Sequence, residues 1–252
     1  MGLYAISGSA SGIGAAVCVE LEKRGHKVIG IDIERADIIA DLSTREGRAS
    51  AITAVLARAS EGLDGFIPCA GLGPQVEPWS TIISVNFYGT VTLVEGLKDR
   101  LAARKGVVII ISSNSASLPG LNEELVQSML DGDENKTRRL ADRLDGHNSY
   151  AGSKLALTRW MRRKSPDWAR QGIRMNAVAP GATMTPLLQA GLDHPLYGDA
   201  IRNFPIPTGS FGSPGQIAAM VLFLLSPEAA FCNGAVFFVD GGTDAMIRPD
   251  SF

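Results

Sequence analysis

The sequence predicts an α/β protein in which helices cover both faces of a doubly wound, seven-stranded parallel sheet. Short apolar runs alternate with segments of helical periodicity along all 252 residues. Several of these runs end in a turn of small residues, as strands do where they pass into a helix. Such alternation requires a parallel sheet with right-handed crossovers. No linker, repeat or low-complexity tract divides the chain, so we expect one dinucleotide-binding and catalytic domain over residues 1–252.

The composition excludes several classes of function. The chain is 45% hydrophobic and 20% charged, which is ordinary for a globular protein, and its formal net charge is −2. It has no basic patch for nucleic acid, no polybasic run for an anionic membrane, and no apolar run that could span a bilayer. Its three cysteines are widely separated, and its three histidines do not pair at metal-ligand spacing. We therefore expect a cytoplasmic protein without a signal peptide, a disulfide framework or a metal.

The first strand, residues 3–7, leads into a glycine-rich turn and then a helix that ends near Gly25. A strand, such a turn and a helix N-terminus together form a phosphate cradle, because free N–H groups and the helix dipole both point at an anion. A tight turn without a ligand is the alternative. The candidate cofactor-binding residues of this turn are Gly8, Ser11, Gly12, Ile13 and Gly14.

The second strand, residues 27–31, ends at Asp32. An acidic residue at this point of a β-α-β unit can hydrogen-bond both ribose hydroxyls of a dinucleotide, and it repels a 2′-phosphate. Asp32, with Ile33 beside it, therefore predicts NAD(H) rather than NADP(H), although the nearby Arg35 weakens that preference. A capping aspartate in a surface turn is the alternative.

A brief third strand, residues 38–40, is followed by Asp41 and Leu42, of which Asp41 could contact an adenine ring. Ser43 is the predicted N-cap of the next helix, which runs to about residue 60.

Two further strands end in turns of small or polar residues. Residues 106–111 form a β-branched and therefore central strand, and Ser113 at its tip would point into the crevice where ligands bind in open α/β sheets. A serine-rich turn without function is the alternative. The turn after strand 63–68 suits a backbone that lies against a flat cofactor, and it consists of Cys69, Ala70 and Gly71.

Two helical segments flank the strand at residues 106–111. A long helix is predicted over residues 79–103, and it carries Asn86 in an apolar stretch. A buried amide needs partners, so Asn86 either has a structural role or holds a water in a proton path. Residues 117–147 interrupt the regular alternation, and we interpret them as two short amphipathic helices around a turn at Gly132.

The next helix, which runs to about residue 170, carries Tyr150 and Lys154. Residues four apart lie on the same helix face, so the ammonium projects beside the phenol. An adjacent positive charge lowers the pKa of a tyrosine, and a second cation such as an oxidised nicotinamide would lower it further. The pair would then work as a general acid and base near neutral pH. A partly exposed tyrosine on an amphipathic helix is the alternative, and Pro166 would kink or end the helix.

The last third of the chain adds two strands, residues 173–179 and 234–239, and an apolar and therefore buried helix at 214–225. The turn after the first of these strands contributes Pro180, Gly181 and Thr183 as candidate cofactor-binding residues. Residues 184–210 have the composition of a mobile lid over an apolar pocket. The side chains placed to cover a substrate, or else simply to pack the core, are Met184, Leu187, Leu188, Leu192 and Tyr197.

Taken together and in this order, these motifs resemble the short-chain dehydrogenase/reductase superfamily over the full length of the chain. The resemblance is carried by residues 8–14, Asp32, Asp41, Leu42, Cys69, Ala70, Gly71, Asn86, Ser112, Ser113, 150–154, Pro180, Gly181 and 240–242. It implies a Rossmann fold with NAD across the strand tips.

The resemblance also implies a role for each matching residue. Tyr150 would be the general acid and base, and Lys154 would lower its pKa and bind the nicotinamide ribose. Ser113 would orient the substrate oxygen, and Asn86 would hold a water that links Lys154 to solvent. Residues 180–183 would contact the carboxamide.

Two departures from the family pattern are informative. Cys69 stands where the family usually has asparagine, so the central sheet needs a different local support. Residues 117–147 form a two-helix insertion before the catalytic helix, as in bacterial 3α-hydroxysteroid dehydrogenase/carbonyl reductases. The loops that resemble this subgroup are 30–33, 41–44, 69–75 and 185–192. Because the insertion lies beside the usual dimer face of the family, we expect a homodimer that forms through another surface.

The resulting expectation is an NAD(H)-dependent enzyme that interconverts a secondary alcohol and a ketone on a bulky, apolar substrate. Similarity to coniferyl-alcohol dehydrogenases leaves aromatic or terpene alcohols open. A non-catalytic NAD sensor on the same fold usually lacks the tyrosine or the lysine. A hydroxyacyl-thioester reductase would favour NADPH and a basic surface.

Overall fold

The computed structural model describes residues 1–251 and has a single sheet of seven parallel strands, as the sequence predicts. The strand order is β3-β2-β1-β4-β5-β6-β7. The strands are β1 (Leu3–Ser7), β2 (Lys27–Asp32), β3 (Ile38–Ile39), β4 (Gly65–Pro68), β5 (Val107–Ile111), β6 (Arg174–Pro180) and β7 (Val236–Val239).

One or more helices join each strand to the next, except between β2 and β3. They are α1 (Gly12–Lys23), α2 (Arg45–Arg58), α3 (Trp79–Ile83), α4 (Thr90–Gly96), α5 (Lys98–Arg104), α6 (Glu123–Leu130), α7 (Glu134–Ala141), α8 (Gly146–Ala169), α9 (Pro186–Leu192), α10 (Gly198–Arg202), α11 (Pro214–Leu225) and α12 (Thr243–Ile247). Across residues 1–251, none of them combines the length and the apolar character that a membrane span requires.

Both faces of the sheet are buried, because successive side chains of a strand point to opposite sides. On one face, Ala5, Phe66 and Ile110 pack in a core with apolar side chains of α2, α4 and α8. On the other, their neighbours Ile6 and Ile109 pack against α1 and α11. The strand order reverses between β1 and β4. Open α/β sheets bind ligands beyond the carboxyl ends of the strands at such a reversal.

The predicted long helix over residues 79–103 is wrong in detail. A π-helical segment, Ser84–Gly89, separates α3 from α4, and a break at Leu97 separates α4 from α5. Arg48 donates to the carbonyl oxygen of Ser84 at 3.2 Å. That carbonyl is the one to which the N–H of Tyr88 would bond in a regular α-helix, so a tertiary contact competes with the helical pattern.

Three smaller predictions also need correction. Thr44, not Ser43, caps α2 and accepts from the N–H of Gly47 at 3.0 Å, because Asp41 already accepts from the N–H of Ser43. Pro166 does not end α8, which continues to Ala169, and the hydroxyl of Ser165 donates to the carbonyl of Arg162 that the proline leaves free; a kink at Pro166 stays a prediction. Helix α11 is buried on one face only and exposes 45% of Phe223.

Residues 117–147 contain the two predicted short helices, α6 and α7. Each starts at a side-chain cap, since Asn122 accepts from the N–H of Leu125 and Asp133 accepts from the N–H of Lys136, both at 2.9 Å. Helix α6 packs on α8, and α7 packs on α3. This pair of helices therefore lies against the helix that carries Tyr150.

Candidate active site

A cleft of about 590 Å³ opens at the carboxyl ends of the strands, a volume typical of small-molecule sites. All the residues that the sequence predicts to bind a cofactor line this cleft, together with Ser113. They are Gly8, Ser11, Gly12, Ile13, Gly14, Asp32, Ile33, Asp41, Leu42, Cys69, Ala70, Gly71, Tyr150, Lys154, Pro180, Gly181 and Thr183. The predicted residues thus come from turns far apart in the chain and meet in one place.

The glycine-rich turn brings the backbone of β1 and the first turn of α1 into close contact. Gly8 has a φ of 70°, and Gly12 has a φ of 55°. A Cβ atom on Gly14 would lie 2.0 Å from the carbonyl oxygen of Gly8. The N-terminus of the 12-residue α1 faces the cleft through Gly12, Ile13 and Gly14, so its N–H groups and its dipole are available to an anion.

We expect Gly14→Ala to lower the free energy of unfolding by about 3 kcal/mol, because the new methyl group collides with backbone that cannot move aside. Urea denaturation measures the change. Gly215→Ala is the matched control, since it also lies in the first turn of a helix and its Cβ would meet no atom closer than 3.9 Å. That variant should be about 0.5 kcal/mol more stable than the parent. Equal effects of the two substitutions would contradict the predicted close contact.

Asp32 is held at the tip of β2 by two backbone groups. Its Oδ2 accepts from the N–H of Ala10 at 2.9 Å, and its Oδ1 accepts from the N–H of Ile33 at 2.7 Å. Each carboxylate oxygen can still accept a second hydrogen bond, so the pair of oxygens suits a vicinal diol. Arg35 pairs with Glu34 at 2.7 Å on an exposed turn. Arg35, the cation that would favour the 2′-phosphate of NADP(H) beside Asp32, is therefore already paired with Glu34.

The turn after β4 packs directly against the turn after β1. A Cβ atom on Gly8 would lie 2.6 Å from the nitrogen of Ala70. The hydroxyl of Ser7 accepts from that same N–H at 3.3 Å, and the Ser7 carbonyl accepts from the N–H of Cys69 at 2.9 Å. These contacts support the central sheet at Cys69, the position where the family pattern has an asparagine. Burial raises the pKa of the Cys69 thiol, so it remains neutral.

Lys154 is buried, and its Nζ donates to the carbonyl oxygen of Ile111 at 2.8 Å. Burial lowers the pKa of Lys154 to about 8. Burial also raises the pKa of Tyr150, and a hydrogen bond from Ser113 lowers it in part. The sequence predicts that Lys154 lowers the pKa of Tyr150 and that a second cation, such as an oxidised nicotinamide, lowers it further; within the protein itself, desolvation instead raises this pKa.

Ser113 is oriented by its neighbour in the turn after β5. Its Oγ accepts from the N–H of Ser115 at 3.2 Å and from the hydroxyl of Ser115 at 2.9 Å. The hydrogen of the Ser113 hydroxyl is thus left to donate toward Tyr150 or toward another oxygen in the cleft. Sequence reasoning identified Ser113 but missed Ser115, which is visible only as one more serine in the turn.

Asn86 lies in the π-helical segment behind the cleft and does not line it. Its Oδ1 accepts from the N–H of Leu72 at 2.8 Å, and its Nδ2 donates to the Leu72 carbonyl at 3.0 Å and to Ser153 at 3.3 Å. Both amide hydrogens are therefore used by protein groups. These contacts fit the first of the two expected roles of Asn86, the structural one. Its role in a proton path stays a prediction.

The cleft that contains Tyr150 and Ser113 is lined mainly by apolar atoms. Three of the five predicted lid residues line it, namely Leu187, Leu188 and Tyr197. Met184 and Leu192 do not, and 43% of Met184 is exposed. Several further lining residues were not among the predicted site residues, because no chemical motif marks them: Leu72, Pro74, Gln75, Leu118, His147, Ile201 and Phe204.

The chain is similar to known proteins over its whole length. A family model described as short chain dehydrogenase matches residues 3–124, and one described as Enoyl-(Acyl carrier protein) reductase matches residues 139–244. The 3-alpha-hydroxysteroid dehydrogenase/carbonyl reductase of Comamonas testosteroni is 44% identical, with 100% of both chains covered. D-threitol dehydrogenase of Mycolicibacterium smegmatis is 27% identical over 94% of this chain and 90% of that protein.

Among solved structures, the chain is similar to the 3-alpha-hydroxysteroid dehydrogenase from Pseudomonas sp. B-0831 complexed with NADH. The two are 45% identical, the TM-score is 0.97, and the comparison covers 99% of this chain and 100% of that one.

Proposed function

Since the chain belongs to the short-chain dehydrogenase/reductase family, we propose that it is an NAD(H)-dependent enzyme that interconverts a secondary alcohol and a ketone on a bulky, apolar substrate. The observation that carries this proposal is the meeting of Tyr150, Ser113 and Lys154 in one largely apolar cleft. We propose a 3α-hydroxysteroid or a related carbonyl compound as the substrate, because the similar protein of Comamonas testosteroni is a 3-alpha-hydroxysteroid dehydrogenase/carbonyl reductase.

The residues present fit a dinucleotide. The glycine turn of α1 would hold the pyrophosphate, and Asp32 would bind the ribose hydroxyls through oxygens that Ala10 and Ile33 already orient. Asp41 and Leu42 would border the adenine, and Pro180, Gly181 and Thr183 would border the nicotinamide. When bound, the nicotinamide ring accepts or supplies the hydride.

The protein's own groups would handle the proton and the substrate oxygen. In the oxidative direction, Tyr150 as phenolate takes the proton of the substrate hydroxyl, while Ser113 donates a hydrogen bond to the same oxygen. In the reductive direction, Tyr150 as phenol returns the proton. Lys154, whose pKa burial lowers to about 8, can exchange a proton near neutral pH. Leu187, Leu188 and Tyr197 would cover the apolar body of the substrate.

The proposal is tested by turnover with NAD and NADP on a panel of 3α-hydroxysteroids, aromatic alcohols and terpene alcohols. We expect turnover with NAD and the highest kcat/KM on a 3α-hydroxysteroid. Faster turnover of aromatic or terpene alcohols would support the coniferyl-alcohol-dehydrogenase alternative. NADH binding without turnover of any substrate would contradict the proposed enzyme and favour a sensor.

Asp32→Asn should lower the preference for NAD over NADP by roughly 10- to 100-fold in kcat/KM. The change removes a charged hydrogen-bond acceptor for the ribose and a charge that repels a 2′-phosphate. Glu46→Gln is the control, because it removes an exposed negative charge outside the cleft and leaves the pair of Arg35 and Glu34 intact. If both substitutions change the preference equally, the effect comes from the general field and not from a contact with Asp32.

Other expectations are proposals as well. We propose that residues 184–210 form a lid, that the protein acts in the cytoplasm, and that it forms a homodimer. Light scattering of the purified protein, which should give the molar mass of two chains, tests the last of these. A monomer at micromolar concentration would contradict it.

A further inference from the structure

Three consecutive residues at the tip of β5 match three residues on one face of α8, and two of the three pairs are hydrogen-bonded. The Ile111 carbonyl accepts from Lys154 Nζ at 2.8 Å, and the hydroxyls of Ser112 and Thr158 lie 2.7 Å apart. The third pair, Ser113 and Tyr150, lies in the same cleft, where Ser113 lowers the pKa of Tyr150. Residues 150, 154 and 158 are four apart, so they form a single row along the helix. The strand and the helix are thus joined residue by residue.

The middle contact is a chain of hydroxyl groups with a defined direction. Thr158 donates its hydroxyl hydrogen to the backbone carbonyl of Lys154 at 2.8 Å. Its oxygen therefore accepts from the hydroxyl of Ser112, which has no other hydrogen to share. Ser112 is 3% exposed, so water competes little for this bond. Lys154 is thus fixed at two points. Its backbone carbonyl accepts from Thr158, and its ammonium donates to the carbonyl of Ile111.

We propose that Thr158 is a positioning residue whose hydroxyl, through Ser112, fixes the tip of β5 to α8 and so sets Ser113 against Tyr150. The inference rests on the proposed function, since it concerns the same site. Ser113 directly follows Ser112, and the backbone N–H of Ser112 is held by the carbonyl of Val178 at 2.8 Å. The strand is therefore fixed on its β6 side, and Thr158 fixes it on the helix side. Neither Thr158 nor its methyl group lines the cleft.

The test compares Thr158→Val with the parent enzyme. Valine keeps the volume and removes the hydroxyl. We expect kcat to fall about tenfold with little change in the KM for NADH, because a displacement of about 1 Å in an active site can cost about 100-fold. The Ser113 hydrogen bond lowers the pKa of Tyr150, so the rise of kcat/KM for alcohol oxidation with pH should move to higher pH. Thr158→Ser should restore both properties.

Thr137→Val is the matched control. Thr137 is buried and shares hydroxyl hydrogen bonds with Tyr88 at 3.0 Å and Ser128 at 2.9 Å, away from the cleft. Thr137→Val should lower the free energy of unfolding without shifting the pH profile of kcat/KM. Should Thr158→Val fail to fold, Ser112→Ala removes the same bond from the strand side and is expected to give the same fall in kcat. An unchanged kcat and pH profile in either soluble variant would overturn the proposal.

Crystal structures provide a readout that does not need turnover. In Thr158→Val, the distance from Ser113 Oγ to Tyr150 Oη should grow by about 0.5 Å or more, and in Thr137→Val it should not change. A parent protein without turnover would contradict the proposed function, whereas the crystallographic comparison would still decide the role of Thr158. An unchanged distance in Thr158→Val would overturn that role.

Discussion

Replacing Tyr150 with phenylalanine is expected to lower kcat by about 10²- to 10⁴-fold, while NADH still binds with nearly its normal affinity. In the proposed mechanism, the phenol of Tyr150 passes a proton to or from the substrate oxygen to which Ser113 donates a hydrogen bond. Phenylalanine keeps the ring and removes the proton carrier. Steady-state turnover and fluorescence titration with NADH measure the two effects separately.

The pH profile adds a second criterion for Tyr150. Oxidation of an alcohol needs the phenolate, and burial raises the pKa of Tyr150, so kcat/KM for oxidation should rise with pH in the parent enzyme. This rise of kcat/KM with pH should disappear in Tyr150→Phe. Tyr88→Phe is the control, since Tyr88 is also buried and bonds a hydroxyl, that of Thr137, at 3.0 Å. A comparable loss of turnover in both variants would show that the effect is structural and would contradict the role of Tyr150.

The parts of the site that follow from local pattern could be predicted from the sequence. Apolar runs that end in small residues gave the strands and the turns at their tips, because both depend on neighbouring residues. Tyr150 and Lys154 are one helical turn apart, so their common face follows from helix geometry alone. The tips of parallel strands meet at one edge, which is why Asp32, Ser113 and Thr183 converge on one cleft.

The features that depend on contacts between distant residues could not be predicted. The π-helical segment at Ser84–Gly89 is accompanied by the hydrogen bond from Arg48 to the Ser84 carbonyl, and no local pattern signals that bond. Ser112 and Thr158 are far apart in sequence and are unremarkable hydroxyl residues until β5 and α8 pack together. The pKa of Tyr150 depends first on burial and then on Ser113, and burial is a property of the folded chain.

The same limitation applies to Arg48, a base on α2 that the sequence gives no reason to bury. Only 3% of its side chain is exposed, and it forms a bidentate ion pair with Glu134 of α7, at 2.7 and 3.0 Å. The guanidinium also donates to the carbonyls of Leu42, Ser43 and Ser84. One side chain therefore joins α2, the loop before it, the π-helical segment and the α6–α7 pair.

Arg48→Met is accordingly expected to lower the free energy of unfolding by about 3–5 kcal/mol, because it leaves the Glu134 carboxylate and three carbonyls without their partner. Urea denaturation at pH 7 measures the loss. Arg45→Met is the matched control: Arg45 lies 3.5 Å from the same carboxylate but is 69% exposed, so its removal should cost less than about 1 kcal/mol. Adding Glu134→Leu to Arg48→Met should recover part of the loss, since no unpaired charge is then buried.

The dependence on pH separates the ion pair from simple packing. Burial raises the pKa of Glu134, but the hydrogen bond and charge of Arg48 outweigh it and hold the pKa below its usual range. A carboxyl group of this kind stabilises the fold above its unfolded pKa of about 4.3 and loses that contribution as the pH falls through the folded value. The difference in stability between the parent and Arg48→Met should therefore be full at pH 7 and shrink below about pH 4. A difference that stays constant to pH 3 would mean that the methylene groups of Arg48 stabilise the fold, and its charge does not.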